Sequence, residues 1–545
     1  MPGGRAPWRT AAPRRAAGAG RRVRGAVAAL AAFALAGALT GAVAPAADGA
    51  GTPVPVPAPN PGLARFYQQQ PAWERCPPDV LRSGSSGQGT PRPGYADRLQ
   101  CARLEVPRDY AHPGQATLRV QLIRLAATGP GKRLGSLVIN PGGPGDSGVN
   151  YLVDNADAFA HLGQRYDLVS FDPRGTGRTE PISCGTTFTP VTGAGAESLG
   201  ASEQRLNEAC GRYSGPLLPW VGTPDVARDM DVLRSAVRDA KLNYLGFSYG
   251  TRLGAVYAHE FPRNVGRMAL DSVEDPTKNT WQTAVAQARG FQRAVDAFAA
   301  DCVHGPACPL GTDTKAAQDQ LATWYRNLTD HPLQSQGATV DQTTYVYALR
   351  GSLYSRETWP ALRQALTQLR NGDGSGILNL SGSGSGSGSR SSGAGRARGD
   401  ASGRLPSQEQ LALRAISCRD TSERYGPADY PRAERELTQA SPLFGPDIAP
   451  TLLDCYGWPV AGDDASRQVA APHAPPLLLV ATTDDPATPY EGAANMARAL
   501  GNASPVLTYH GEGHAAYTSG NPCVLREVDG FLLDGALPVG GTGCR

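Results

Sequence analysis

Apolar and polar positions change rhythm several times along the chain. From Leu99 to Val106 and from Ala116 to Leu125 they alternate, which predicts an early antiparallel strand pair. Six short apolar runs follow, at Ser136 to Asn140, Tyr166 to Phe171, Leu242 to Leu245, Gly266 to Asp271, Pro476 to Ala481 and Val506 to Tyr509. Runs this short and this continuous suit strands buried on both faces. Helical periodicity separates several of them. Pro224 to Arg238 carries Val226, Met230, Leu233 and Val237 on one face, and a second helix opens at Tyr249 with Leu253, Val256 and Tyr257. Strands alternating with helices predict an α/β fold with a mostly parallel sheet.

Between about Asp275 and Pro475 the alternation stops and helical spacing takes over, as at Trp359, Leu362, Leu366 and Leu369 within Thr358 to Leu369. The chain therefore divides into a sheet core over 71–275, a helical cap insertion over 276–475, and the rest of the core over 476–545. Residues 372–404 contain an unbroken Ser/Gly repeat that cannot bury a core, and a flexible loop is expected there. An insertion at this point sits above the carboxyl ends of the strands, where sites in open α/β sheets lie.

Charge changes the picture at the N-terminus. The first 46 residues hold seven arginines and no acid, so without them the formal charge falls from +3 to −4. Arginines, then an apolar stretch from Ala26 to about Leu39, then A-x-A sites at Ala42-Val43-Ala44 and Ala44-Pro45-Ala46, read as a secretory signal peptide over 1–46. Arg21-Arg22 is a weak match to a twin-arginine signal. The apolar run is short for a span and no second one follows, so no stable membrane anchor is expected. Residues 47–70, opened by the Pro-rich run Thr52 to Pro57, read as a linker or pro-segment. The remainder has no basic run suited to nucleic acid. The expected location is secreted and extracellular, with cell-wall association one form of it. The ten cysteines of an exported chain suggest disulfides. Pairing sequence neighbours gives Cys76–Cys101, Cys184–Cys210, Cys302–Cys308, Cys418–Cys455 and Cys523–Cys544.

Gly246-Phe247-Ser248-Tyr249-Gly250 is a G-x-S-x-G between a strand pattern and a helix pattern. That frame suits a nucleophile elbow, in which small flanking residues let a strained turn close around an exposed serine. Asn140 to Gly145 (NPGGPG) follows the third strand, where backbone N–H groups can meet a substrate oxyanion. Gly143 is the expected donor there and Tyr249 N–H the second; Pro144 has no N–H to give. For the orienting acid, Asp484 and Asp485 both follow a late strand, with Asp271 and, more weakly, Asp275 as rivals. Of the eight histidines, His510 and His514 follow the last strand, and His514, flanked by small residues, is the better placed base. The chain order Ser, Asp, His is that of α/β hydrolases.

With these motifs the chain resembles the secreted tripeptidyl aminopeptidase family of α/β hydrolases, related to prolyl aminopeptidases. The resemblance rests on Trp73, Cys76, Cys101-Ala102 and Val106 to Tyr110, then Asn140 to Gly145, Phe171 to Gly177 and Asn243 to Thr251. It continues through Ile416 to Asp420, Asp485 to Tyr490, Gly513-His514 and the closing Cys523 and Cys544, and so covers nearly the whole chain from about residue 70. It implies the α/β-hydrolase fold with a helical cap and selects Asp485, the Asp of D-x-x-T-P, over Asp484. Two departures stand out: the Ser/Gly tract, and Arg178-Thr179 where relatives often carry a small residue and Ser, which is expected to alter the site rim.

The expectation is a serine exopeptidase that releases short peptides, tripeptides by resemblance, from peptide substrates with a free N-terminus. Ser248 would attack, His514 would carry the proton and Asp485 would hold the imidazole. No metal or cofactor is called for. The substrate ammonium needs a carboxylate; Glu274 and Asp275 lie near the insertion's start, but the pattern does not choose one. An esterase or lipase with the same triad is the rival reading, and an inactive scaffold would lack a triad member. Oligomeric state is not legible.

Overall fold

The computed structural model describes residues 61–82, 94–191, 193, 195–382, 405–539 and 541–545. The expected signal peptide lies outside the described residues.

One sheet holds ten strands: β1 Glu74–Arg75, β2 Leu99–Pro107, β3 Thr117–Leu125, β4 Gly135–Asn140, β5 Tyr166–Phe171, β6 Leu242–Phe247, β7 Val265–Asp271, β8 Leu478–Asp484, β9 Val506–Glu512 and β10 Gly543–Cys544. Their spatial order is β1-β2-β3-β5-β4-β6-β7-β8-β9-β10. The first three strands and β5 pair antiparallel, and every pairing from β5 to β10 is parallel. This is the mostly parallel sheet that the sequence pattern anticipates, in the α/β-hydrolase form that the resemblance implies.

The period-2 geometry of a strand sorts each apolar run onto two faces. Val138, Val169, Tyr244, Leu270 and Leu479 join the core cluster that takes in Val226, Met230 and Leu233 of Thr223–Ala236 and Leu253 and Val256 of Tyr249–Glu260. Their chain neighbours Leu137, Ile139, Leu168, Leu245 and Val480 face the other way, onto Val149 and Leu152 of Gly148–Asn155 and Val524, Val528 and Phe531 of Pro522–Asp534. Both faces are covered, so the runs had to be apolar throughout.

A third cluster belongs to the helical stretch. Phe291 and Phe298 of Thr280–His304 pack with Leu349, Trp359, Leu362 and Leu366. Four findings adjust the sequence reading. Leu333–Ser335 and Ala338–Val340 form a small antiparallel hairpin among these helices. Within the stretch read as a flexible loop, Ser375–Leu380 is helical and buries Ile377 and Leu378, because two large aliphatics outweigh the flanking Ser and Gly; residues 383–404 lie outside the described ones. Within the stretch read as linker, Ala64–Tyr67 is a helical turn, with Phe66 and Tyr67 buried in the sheet's core and Tyr67 donating to Asp231 at 2.9 Å. The expected insertion is also not one packing unit. Leu411, Ala415 and Ile416 of Gln408–Asp420 pack into the sheet's core rather than the helical one.

Five disulfides close the pairs that sequence neighbours suggest, which fits an exported protein. Among the described residues no helix is long and apolar enough to cross a membrane.

Candidate active site

β6 runs straight into the helix at Tyr249, and Ser248 is the single residue between them, at φ 55° and ψ −125°. A non-glycine residue in such a conformation costs about 1–3 kcal/mol and must be held there. Its neighbours hold it. Ser248 N–H donates to the Asp271 carbonyl at 3.0 Å, and the Ser248 carbonyl accepts from Thr251 N–H at 2.8 Å and the Thr251 hydroxyl at 2.6 Å. The flanking glycines are required by contact: a Cβ on Gly246 would stand 2.6 Å from the Gly250 carbonyl oxygen, and one on Gly250 2.8 Å from Asn140 Oδ1.

His514 follows β9, and its Nδ1 lies 2.9 Å from both carboxylate oxygens of Asp485, which follows β8. Asp485 is 1% exposed. Its Oδ1 also accepts from Ala487 N–H and Thr488 N–H, each at 2.9 Å, and its Oδ2 accepts from the Thr488 hydroxyl at 2.9 Å. A carboxylate so fully engaged is fixed in place and leaves Nε2 as the ring nitrogen free for chemistry. Burial opposes a charge on the imidazole, but the Asp485 carboxylate, with Asp271 and Glu274 behind it, lifts the His514 pKa above its ordinary value.

The rival acids have other work. Asp271 is fully buried, and its carboxylate accepts from Ala516 N–H at 3.1 Å and Tyr517 N–H at 2.7 Å. It therefore ties the nucleophile turn, through its carbonyl, to the histidine loop, through its side chain; burial pushes its pKa up to about 6. The Asp484 carboxylate accepts from the Thr483 hydroxyl at 3.4 Å, and its carbonyl accepts Gly513 N–H at 3.4 Å. Asp275 takes Thr277, Lys278 and Asn495. His510 is exposed, beside Gly543. Arg178-Thr179 is a brace more than a rim: Thr179 is fully buried and accepts from Gln121 N–H, while Arg178 bonds Asn150 and Asp172.

The NPGGPG loop closes over Ser248. A Cβ on Gly142 would come within 3.0 Å of Ser248 Cβ and 3.1 Å of Tyr249 N. Gly142 N–H is spent on Asn140 Oδ1 at 3.0 Å. Gly143 N–H has no acceptor among the described residues, and neither does Tyr249 N–H at the start of its helix. Two uncommitted N–H groups beside a serine suit a developing oxyanion.

From Gly143, Pro144 and Tyr249 a cavity of about 280 Å³ runs under the helical insertion. Five carboxylates line it, and three are paired: Glu274 with Arg252 at 2.9 Å, Asp447 with Arg350 at 2.7 Å and Asp454 with Arg414 at 3.0 Å. The other two, Asp420 and Glu423, have no cation within 4.0 Å among the described residues. Asp420 is buried and accepts from both Thr223 N–H and the Thr223 hydroxyl, and burial pushes its pKa up to about 6. Glu423 accepts Thr280 N–H at 3.0 Å and keeps acceptor capacity. Sequence reasoning missed both. Asp420 belongs to the Ile416 to Asp420 motif, which was a usable signal; Glu423 carried none.

A family model described as TAP-like protein matches residues 441–544. The chain is 34% identical to the serine protease Hip1 of Mycobacterium tuberculosis over 470 residues, covering 82% of this chain and 87% of that one. It is likewise 34% identical to carboxylesterase B of the same organism, covering 81% and 85%. A tripeptidyl aminopeptidase of Streptomyces lividans is 29% identical, covering 85% and 84%.

Proposed function

This chain belongs to the TAP-like family of α/β hydrolases, and from that membership we propose that it is a secreted serine exopeptidase that releases short peptides, tripeptides foremost, from free N-termini. That it is a serine hydrolase follows from its relatives, which are named as proteases and as an esterase. The finer reading rests on chemistry.

The single observation that carries it is the carboxylate pattern of the cavity. In this reading the cavity beside the proposed oxyanion donors Gly143 and Tyr249 receives the acyl part of the substrate. Three internal ion pairs alone would suit a neutral guest, but Asp420 and Glu423 are left without a cation within 4.0 Å among the described residues. An α-ammonium entering the cavity needs such a partner, because an unpaired ammonium in a desolvated site is costly. Glu423, with acceptor capacity to spare, is the proposed anchor.

In the proposed cycle Ser248 attacks the scissile carbonyl while His514 Nε2 takes its proton. Asp485 holds the imidazole tautomer and stabilises the imidazolium without accepting the proton. The Gly143 and Tyr249 N–H groups meet the oxyanion. The amine leaves with the proton from His514, and water repeats the sequence on the acyl-enzyme. Peptides with free N-termini are the proposed partners.

One observation favours a second reading. Carboxylesterase B matches this chain as closely as the protease Hip1 does, so an ester substrate is the alternative. The deciding experiment compares a free-amine tripeptide p-nitroanilide, its N-acetylated twin and a short-chain p-nitrophenyl ester, with Ser248→Ala as control and Glu423→Gln as the anchor variant. Expected is cleavage of the free peptide about a hundredfold better than of its blocked twin, with that preference lost in Glu423→Gln. Cleavage of the ester alone overturns the exopeptidase reading and leaves the esterase.

A further inference from the structure

The NPGGPG loop continues into Asp146, a carboxylate the mechanism above does not use. The loop folds back tightly: a Cβ on Gly143 would lie 2.9 Å from Asp146 N and 3.3 Å from Asp146 Cγ. The carboxyl group is therefore beside Gly143, the proposed oxyanion donor. Among the described residues it has no hydrogen bond and no cation within 4.0 Å. Burial, with the like charge of Glu409 added, pushes its pKa up to about 6.

A structural duty does not account for it. The helix that follows is capped by the next residue, Ser147, whose hydroxyl oxygen accepts Asn150 N–H at 3.0 Å and whose O–H donates to Asp172 at 2.5 Å. Loop and cap are satisfied without Asp146. Burial raises the Tyr151 and Tyr354 pKa values and the Asp146 charge adds to both, and the Tyr354 ring packs edge-on to His514 at 5.3 Å. Asp146 thus adjoins Gly143, and its charge is felt by the ring that packs on His514. Neither Asp146 nor Tyr354 lines the cavity under the insertion. With the acyl part in that cavity, their side of Ser248 belongs to the leaving group.

We propose that Asp146 is a specificity residue of the leaving-group side, pairing with a cationic side chain, lysine or arginine, on the first residue of the departing chain. A lone carboxylate beside the oxyanion site disfavours the negative charge that develops there. A substrate cation placed on Asp146 offsets that repulsion, so the selection acts on the transition state as well as on binding. The aromatic rings nearby suit an ammonium or guanidinium. The choice of side rests on the exopeptidase reading.

The test uses the full-length enzyme and internally quenched free-amine peptides that differ only after the scissile bond, with lysine, norleucine or glutamate there. Expected is a kcat/KM order of lysine over norleucine over glutamate, with at least tenfold between the first two. Asp146→Asn should bring lysine and norleucine within twofold. Equal rates for lysine and norleucine in the unaltered enzyme overturn the proposal, as does a lysine preference that survives Asp146→Asn. A lysine preference found before the scissile bond and absent after it overturns the assignment of side. A parallel arm compares butyrylcholine with its uncharged isostere, 3,3-dimethylbutyl butyrate. If no peptide is cut but the choline ester is preferred and Asp146→Asn removes the preference, the exopeptidase reading falls and the cation subsite stands.

Discussion

Tyr354 and His514 meet twice. The Tyr354 carbonyl accepts His514 N–H at 2.8 Å, and the two rings pack edge to face at 5.3 Å and 87°. Tyr354 belongs to the helical insertion, so the insertion touches His514 as well as lining the cavity beside Tyr249. Nearby, Arg356 bonds Glu512 at 3.0 Å and Asp301 at 2.8 Å, pinning the histidine loop to the insertion.

Tyr354 is thus a positioning residue. Tyr354→Ala keeps the carbonyl but removes the ring wall, and kcat should fall about tenfold, or about 1.4 kcal/mol of transition-state stabilisation. Tyr354→Phe, which restores the ring, should stay within about twofold. Steady-state kinetics on both variants checks this; equal losses would point to the hydroxyl instead of the ring.

Asp485 and Asp484 are adjacent in sequence and differ entirely in their contacts. Asp485→Asn should lower kcat by about 10⁴-fold through the wrong imidazole tautomer. Asp484→Asn should leave it within about threefold, as expected for a residue outside the site. Kinetics normalised to acylatable serine separates lost activity from lost fold.

The His514 pKa fixes the sign of the acidic limb. In the proposed cycle neutral imidazole is the working base, and the fold holds the pKa above the ordinary value. The acidic limb of kcat/KM should therefore have its midpoint above about 6.5. The Asp485 carboxylate does most of the lifting against burial, so Asp485→Asn should move the residual limb to lower pH. A kcat/KM profile from pH 5 to 9 is the measurement.

Cys418–Cys455 joins the helix Gln408–Asp420 to the segment whose Cys455 lines the cavity, across 37 residues of sequence. Cys418→Ser with Cys455→Ser should cost about 3 kcal/mol of stability, as a chain-constraining bridge of that span does. Thermal unfolding should show a lower Tm, and the free-amine preference should weaken as the cavity wall loosens.

The sequence by itself carried the elements whose signal is local. Apolar runs with intervening helical faces located the strands, because a strand covered on both faces has to be apolar end to end. Gly246 and Gly250 marked the elbow, since a Cβ at either would strike backbone or side chain within 2.8 Å. The disulfides joined neighbours, so order along the chain gave the pairing. Periodicity could not see the small hairpin at 333–340, or that Leu63, Phe66 and Tyr67 are buried in the core, because such short segments take their burial from distant partners. Nor could spacing choose among Asp271, Asp484 and Asp485. All three end or follow strands, and only the fold shows that one faces the imidazole, one braces two loops and one does neither. That Glu423 and Asp146 have no cation within 4.0 Å among the described residues is likewise tertiary. A carboxylate is unpaired only by reference to which arginines its neighbours in space have already taken.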